Sequence, residues 1–178
     1  MAEIKIHDKT FAPFIDHATI QDSVKVLGEK LMVDYQDKTP LFIGVLNGAF
    51  MFSADLMKVY KGNADIGFIR LSSYYGTAST GQVKSILGLD MEVEGRHIII
   101  LEDIIDTGFT IEFLTRELNK KNPESIRVAT LLLKPMALRA NIRPDYVGIE
   151  IPNDFIVGYG LDYNGLGRNL TDIYKIVE

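Results

Sequence analysis

Apolar residues along this chain form short continuous runs that alternate with helically spaced positions. Apolar side chains recur at helical spacing from residue 16 to about 35, and 49–58 has a similar pattern, so two helices are predicted. A third, amphipathic helix is predicted after residue 108, with Ile111, Leu114 and Leu118 on its buried face. Apolar runs of strand length are found at 41–46, 66–72, 84–89, 96–101, 126–133 and 146–151. Strands that alternate with helices predict an α/β fold with a mostly parallel sheet covered on both faces.

Two segments depart from this alternation. Residues 73–82 lie between two predicted strands and are rich in small and polar residues, which predicts a mobile loop at the tip of a long hairpin. The tail from Gly158 onward is rich in glycine and tyrosine and is expected to be irregular. Because no linker or repeat interrupts the 178 residues, we expect a single domain spanning 1–178.

Composition excludes several classes of function. The net charge is −5 and no cluster of Lys or Arg stands out, so nucleic acid and anionic membranes are poor candidate partners. The absence of cysteine excludes disulfides, thiolate nucleophiles and cysteine-based zinc sites. No apolar run approaches the roughly 18 residues of a membrane span. We therefore expect a cytoplasmic protein without a membrane partner.

The segment 98–110 carries the strongest chemical signal. An apolar strand runs into Glu102 and Asp103, and a third acid, Asp106, precedes a Thr107–Gly108 turn that begins a helix. Carboxylates beyond a strand suit sugar hydroxyls or a Mg²⁺-bound sugar, and backbone N–H groups at a helix start suit phosphate. The alternatives are solvated loop acids and an ordinary Asp or Thr helix cap. The combination favours a sugar-phosphate site.

This motif resembles the signature that binds 5-phosphoribosyl 1-pyrophosphate (PRPP) in type I phosphoribosyltransferases, in the form of the hypoxanthine-guanine branch. Four further segments resemble the family in the same order along the chain. They are 45–48 (pyrophosphate loop), Ser73–Tyr74 with 79–81 (mobile loop), 132–134 (strand end with a purine-binding lysine) and 145–164 with Arg168 (purine hood).

The resemblance implies a fold and an activity. The fold would be a single phosphoribosyltransferase domain with a mobile loop at about 73–83 and a small hood formed by about 1–15 and 145–178. The reaction would belong to purine salvage: the 5-phosphoribosyl group of PRPP passes to N9 of hypoxanthine, guanine or both, giving IMP or GMP and pyrophosphate. The substrates would be PRPP and a 6-oxopurine, the cofactor Mg²⁺, and the assembly a homodimer or homotetramer.

The resemblance also assigns roles to residues. Asp106 would be the general base and would stabilise positive charge on the sugar, while Glu102 and Asp103 would face the ribose hydroxyls. The 5′-phosphate would lie against Thr107, Gly108, Phe109 and Thr110. Lys134 would donate to the purine carbonyl, Phe155 would stack on the ring, and the Ile156 backbone would read its edge. Pyrophosphate would be bound by Asn47, Gly48, Ser73, Tyr74 and Arg168, and Mg²⁺ by Glu102, Asp103 and Asp162, partly through water. Asp162 would also belong to the purine-binding part of the hood.

One backbone feature follows from the same resemblance. Relatives often hold the pyrophosphate loop with a non-proline cis peptide, so we expect one between Leu46 and Asn47. Asn47 occupies a position where several relatives carry lysine, and Phe109 one where many carry a polar residue. The backbone N–H groups of these two loops are therefore expected to bind the phosphates.

Two other classes of function remain as alternatives. A regulator that senses PRPP or a nucleotide would keep this fold without catalysis, and an added nucleic-acid-binding region or a basic face would distinguish it. A Mg²⁺-dependent phosphotransfer domain would use the two adjacent acids, but it leaves the segment 155–168 without a role. Dinucleotide binding is not supported because no G-x-G-x-x-G follows a strand.

Overall fold

The computed structural model describes residues 2–73, 83–88 and 91–177. Three helices are present in these residues: α1 (His17–Asp34), α2 (Phe50–Val59) and α3 (Phe109–Asn119). The strands are β1 (Ile4–Ile6), β2 (Lys9–Ile15), β3 (Leu41–Leu46), β4 (Asp65–Ser73), β5 (Val83–Leu87), β6 (His97–Ile105), β7 (Ser125–Leu133), β8 (Tyr146–Glu150), β9 (Ile156–Val157) and β10 (Ile173–Ile176).

The larger sheet has six strands in the order β5-β4-β3-β6-β7-β8. Neighbouring strands from β4 to β8 are parallel, and β5 pairs antiparallel with β4 as the returning arm of the hairpin. The continuous apolar runs of β3 and β6 lie in the middle, where helices cover both faces. This architecture confirms the predicted α/β fold with a mostly parallel sheet.

The helices form where the pattern of apolar residues predicts them. Asp16 caps α1 by accepting a hydrogen bond from the backbone N–H of Thr19 at 2.8 Å. The apolar stripe of α1 is buried, as is that of α3. One core lies between the sheet and α1 and α2, and a second lies between the sheet and α3. The sheet is therefore fixed from both sides, and its strand ends have defined positions.

A second sheet combines the two ends of the chain. It has four antiparallel strands in the order β1-β2-β10-β9. The sequence analysis did not predict β1 and β2 as strands, and it expected an irregular tail where β10 forms. These strands are short and lack a continuous apolar run, so the local sequence does not mark them as strands. They form because residues from opposite ends of the chain pair with one another. Within the expected hood segment 145–178, β8 pairs instead with β7 in the larger sheet.

The strand β6 continues farther than its apolar run. Its prediction ended at Leu101, but pairing with β7 continues through Glu102, opposite Thr130, to Ile105, opposite Leu133. The expectation that Glu102 and Asp103 lie beyond the strand was therefore wrong. Pairing with β7 at Glu102, Ile104 and Ile105 extends the strand through two acidic residues, which strands do not ordinarily favour.

The expected mobile loop lies mostly outside the described residues. Tyr74 and the Ser79–Gly81 stretch fall there, whereas the backbone of Ser73 ends β4 and that of Val83 begins β5. Across the described parts of the chain, no helix has the length and apolar character needed to cross a membrane.

Candidate active site

Three loops meet at the carboxyl ends of the central strands. The strands β3, β6 and β7 are parallel neighbours, so the segments that follow them lie along the same edge of the sheet. These segments contain Asn47 and Gly48, the turn at Asp106–Gly108, and Lys134. The peptide bond between Leu46 and Asn47 is cis, as predicted. Segments separated by many residues in sequence thus form one candidate site.

The carboxylate of Asp103 packs directly against Gly48. Asp103 is buried, and a Cβ atom at position 48 would overlap its carboxylate oxygen Oδ2. Burial raises the pKa of Asp103 to about 6, although hydrogen bonds from the backbone N–H groups of Ile104 and of Asp103 itself act in the opposite direction. Gly48 is therefore the residue that leaves room for this acid.

Glu102 is a buried acid with an unused acceptor. Among the described residues, its Oε2 atom has no hydrogen-bond partner. Burial raises the pKa of Glu102 well above its usual value, and the nearby charge of Asp103 acts in the same direction. A buried carboxylate without a donor is costly, and a ligand that supplies a hydroxyl donor or a cation would compensate for it.

The loop after β7 donates hydrogen bonds to the turn that begins α3. Gly108 is the N-cap of α3 and has a φ of 83°, so the alternative of an ordinary Asp or Thr cap does not apply to this helix. The carbonyl oxygen of Thr107 accepts hydrogen bonds from the backbone N–H groups of Arg139 and Ala140, each at 3.0 Å. A side chain at Gly108 would approach Leu138 closely. The first N–H groups of a helix lack intrahelical partners, so this turn can bind an anion.

Lys134 and Asp106 form an ion pair at the centre of this edge. The Lys134 Nζ atom donates to Asp106 Oδ2 at 3.0 Å. Lys134 is buried at the end of β7, and its backbone N–H donates to the Ile105 carbonyl oxygen at 3.0 Å. The Asp106 side chain is 51% exposed.

The hood contributes an aromatic face and a second ion pair. Phe155 is 45% exposed, and its ring centroid lies 6.3 Å from that of Phe11 in a tilted pair and 5.9 Å from that of Tyr163 in a T-shaped pair. Arg168 Nη2 pairs with Asp162 Oδ1 at 2.6 Å. The charge of Arg168 acts to lower the pKa of Asp103 and that of Asp162 acts to raise it, so the hood ion pair lies within electrostatic reach of Asp103.

Comparison with known proteins identifies the family. The model for the phosphoribosyl transferase domain matches residues 15–164. The hypoxanthine-guanine phosphoribosyltransferase of Bacillus subtilis (strain 168) is 48% identical over 160 residues, which cover 89% of each chain. The chain belongs to the phosphoribosyl transferase family.

Solved structures support the same assignment. A crystal structure of a hypoxanthine phosphoribosyltransferase from Staphylococcus aureus matches with a TM-score of 0.88 and 40% identity, covering 93% of this chain and 91% of that one. A hypoxanthine-guanine phosphoribosyltransferase from Bacillus anthracis matches with a TM-score of 0.88 and 37% identity over 99% of both chains. The fold and the family expected from the sequence, including its hypoxanthine-guanine branch, are confirmed.

The acids expected to bind Mg²⁺ do not form a complete cage. Within the described ranges, no three His, Asp or Glu side chains are arranged to hold a metal ion. Asp162 is also engaged already, because its Oδ1 pairs with Arg168 and its Oδ2 accepts from the backbone N–H of Gly165 at 2.7 Å. A cation at this phosphoribosyl transferase site would need most of its ligands from substrate oxygens and water.

Some structurally important residues were not found by sequence reasoning. Asp55 on α2 and Tyr159 in the hood form a part-buried hydrogen bond at 2.6 Å; Asp55 lies outside the family-like segments, and Tyr159 lies in one of them without an assigned role. The only local signal is that Tyr159 stands between two glycines, Gly158 and Gly160. Such a contact between a helix and a distant loop becomes visible only in the folded chain.

Proposed function

We propose that this chain transfers the 5-phosphoribosyl group from PRPP to N9 of hypoxanthine, guanine or both, with release of pyrophosphate. The observation that carries this proposal is the 3.0 Å ion pair between Lys134 and Asp106 beside the turn at Thr107–Gly108. It combines a donor for a purine carbonyl, an acceptor for a purine proton and an anion-binding helix start. The named relatives act on bases of this class.

Asp106 is the proposed base. When a 6-oxopurine enters, its carbonyl oxygen accepts a hydrogen bond from the Lys134 ammonium in place of Asp106. The Asp106 carboxylate is then free to accept the proton of the attacking ring nitrogen. The bond from the anomeric carbon to N9 forms as the bond to pyrophosphate breaks. Closure of the site over Asp106 would remove water from a carboxylate that is half exposed without substrate.

The two phosphate groups of PRPP have separate proposed locations. The 5′-phosphate lies at the turn formed by Thr107, Gly108, Phe109 and Thr110, where the start of α3 provides backbone donors. Glu102 and Asp103 accept hydrogen bonds from the ribose hydroxyls, which would use the free Oε2 of Glu102. The proposed pyrophosphate ligands are Asn47, Gly48, Ser73, Tyr74 and Arg168.

The purine lies in the proposed arrangement between the hood and the end of β7. The exposed face of Phe155 stacks on the ring, and the backbone of Ile156 reads its edge. Lys134 selects a carbonyl because an ammonium can only donate hydrogen bonds. Adenine, which presents an amino group in that position, would place a donor against this buried ammonium.

Mg²⁺ is the proposed cofactor, and the donor set fits it. Glu102, Asp103 and Asp162 supply carboxylate oxygens, which this hard cation prefers, and Glu102 has an unpartnered oxygen. Asp162 is expected to act through water because both of its oxygens are engaged. Bound Mg²⁺ would neutralise charge on the departing pyrophosphate.

Three further expectations remain predictions. They are a single functional domain with a hood from about 1–15 and 145–178, a homodimer or homotetramer, and a cytoplasmic location. The hood sheet joins both of these end segments, which supports the first expectation.

One assay tests the proposed function. The chain is incubated with PRPP, Mg²⁺ and one of four bases (hypoxanthine, guanine, xanthine or adenine), and pyrophosphate release is followed. We expect release with hypoxanthine or guanine and little with adenine. Binding of PRPP without release for any base would instead favour the regulator, and transfer of phosphate to the protein would favour the phosphotransfer domain.

A further inference from the structure

A single buried tyrosine connects the hood to the helix that follows the pyrophosphate loop. The Tyr159 side chain is fully buried, and its hydroxyl donates to Asp55 Oδ2 at 2.6 Å. Tyr159 has a positive φ of 48°, which few residues other than glycine adopt. Its backbone N–H donates to the Leu170 carbonyl oxygen at 2.8 Å. Hydrogen bonds from both the side chain and the backbone thus fix the position of Tyr159.

Asp55 receives donors from three separate parts of the fold. Besides Tyr159, Gln21 of α1 donates to it at 2.8 Å and Lys58 of α2 at 2.7 Å. Burial acts to raise the pKa of Asp55, but the hydrogen bonds from Lys58, Tyr159 and Gln21 outweigh it and lower the pKa. The acceptor is therefore a carboxylate, and hydrogen bonds to charged acceptors are the stronger ones.

The same connection determines the distance between the hood and the pyrophosphate loop. Helix α2 begins at Phe50, directly after the loop that contains Gly48. On the hood side, Gly160 lies so close to the Gly48 carbonyl oxygen that a Cβ atom at position 160 would overlap it. Tyr159 is the neighbour of Gly160, so its bond to α2 holds these two backbones together.

Arg168 depends on the same segment. Its guanidinium Nη1 donates to the Gly160 carbonyl oxygen at 2.7 Å, and its own carbonyl oxygen accepts from the Gly160 N–H at 2.9 Å. The other guanidinium nitrogen pairs with Asp162. A displacement of Gly160 would therefore move Arg168 and Asp162 away from Asp103 and Gly48.

The purine half of the hood is held by different contacts. Ile156 and Val157 pair with Lys175 and Tyr174 of β10. The carbonyl oxygen of Phe155 accepts from the Ile176 N–H at 2.9 Å. None of these backbone contacts involves Asp55 or the Tyr159 hydroxyl, so loss of that hydroxyl leaves the backbone pairing of the purine half in place.

We propose that Tyr159 and Asp55 are positioning residues for the pyrophosphate half of the site. By holding Gly160 against Gly48, they place Arg168 for PRPP and leave the purine half unaffected. This inference rests on the proposed function, because it assigns PRPP to the site and pyrophosphate to Arg168.

The test compares two tyrosine-to-phenylalanine variants. Tyr146 is a matched control, because its hydroxyl also donates to an aspartate, Asp34 Oδ2, at 2.6 Å and joins β8 to α1 away from the hood. We expect Tyr159→Phe to raise the KM for PRPP about tenfold. For an equilibrium constant, a tenfold change corresponds to about 1.4 kcal/mol. The KM for hypoxanthine should stay within about twofold of the wild-type value in both variants, because the loss of a hydrogen bond affects only the residues that are energetically coupled to it. An unchanged KM for PRPP in Tyr159→Phe, or an equal rise for both substrates, overturns the proposal.

Substitutions at Asp55 provide an independent check. Asp55→Asn keeps an oxygen that can accept from Tyr159, so its KM for PRPP should lie between those of the wild type and Asp55→Ala. Equal KM values for Asp55→Asn and Asp55→Ala would contradict the role of this hydrogen bond.

Amide hydrogen exchange separates this inference from the proposed function. Without any substrate, Tyr159→Phe should accelerate exchange in 158–170 and leave 155–157 protected, while Tyr146→Phe changes neither. Wild-type protein that releases no pyrophosphate would refute the proposed function, and the exchange pattern would still decide whether Tyr159 holds this half of the hood. Unchanged exchange in 158–170 refutes the positioning role even if the enzyme is active.

Discussion

The carboxylate of Asp103 occupies the space that any side chain at position 48 would need. A Cβ atom on Gly48 would overlap Asp103 Oδ2, and the surrounding residues leave Asp103 buried. The loop after β3 and the acid Asp103 of β6 are thus in direct contact.

Gly48→Ala should displace Asp103. Overpacking of a buried position typically costs about 1–3 kcal/mol, and here the displaced group is a proposed ribose ligand. We expect a lower unfolding midpoint together with a KM for PRPP raised at least about tenfold, equivalent to about 1.4 kcal/mol. Urea unfolding and steady-state kinetics measure the two effects.

Gly95→Ala is a suitable control for the effect of stability alone. Gly95 has a φ of 67°, and a Cβ atom there would have no neighbour within 4 Å. The strained backbone should cost about 1 kcal/mol without any effect on PRPP. A similar KM for PRPP in the Gly48→Ala and Gly95→Ala variants would contradict a specific contact with Asp103.

Stability without ligand should depend on Asp103 between pH 4 and 6. Burial raises the pKa of this carboxyl in the folded chain from 3.8 to about 6. The folded state then binds more protons than the unfolded state in this window, so the free energy of unfolding falls as pH rises through it. Above pH 6 the free energy of unfolding has fallen by roughly 3 kcal/mol in total, at about 1.4 kcal/mol per unit of pKa difference.

Asp103→Asn should remove the contribution of Asp103 to this pH dependence and leave that of Glu102, whose pKa is also raised by burial. The variant is expected to be more stable than the wild type above pH 6 and to bind PRPP less well, because an amide cannot replace the carboxylate as a purely accepting group. Urea unfolding at several pH values measures the difference. A constant difference between the two proteins from pH 4 to 7 would show that Asp103 is not the group responsible.

Asp106→Asn should lose most of its turnover. The amide keeps the size of the side chain and can still accept from Lys134, but it cannot take a proton from the purine. Loss of a general base typically reduces kcat by roughly 10²–10⁴-fold. Rapid-quench or steady-state assays with saturating PRPP measure this effect, and thermal unfolding should show a nearly unchanged midpoint. Turnover equal to that of the wild type would remove Asp106 as the base.

Lys134→Gln should weaken the selection of 6-oxopurines. The substitution removes a buried cation that donates to the carbonyl, so kcat/KM for hypoxanthine relative to adenine should fall roughly 10- to 100-fold, the effect expected from about 1.5–3 kcal/mol of a charged hydrogen bond. Competition assays measure the ratio. Lys120→Gln, which removes only a surface pair with Glu117, should leave it unchanged. If the ratio stays constant in Lys134→Gln, another group reads the carbonyl.

The sequence by itself determined the elements whose stability is local. Asp16 and the apolar stripe of α1 specify that helix almost to its ends, and the apolar run 41–46 matches β3. The turn at Thr107–Gly108 was predicted from its local sequence, and Gly108 adopts a left-handed conformation there with a φ of 83°. The order of five family-like segments also identified the phosphoribosyl transferase family before any geometry was known.

Only the tertiary structure decided how these elements combine. The extension of β6 through Glu102 and Asp103 depends on pairing with β7, and the raised pKa of both acids depends on burial by distant segments. The bond between Tyr159 and Asp55 likewise joins residues without a local relationship. Periodicity and capping act over a few residues, whereas burial and strand pairing are properties of the whole folded chain, and this is why the sequence left the electrostatics of the site open.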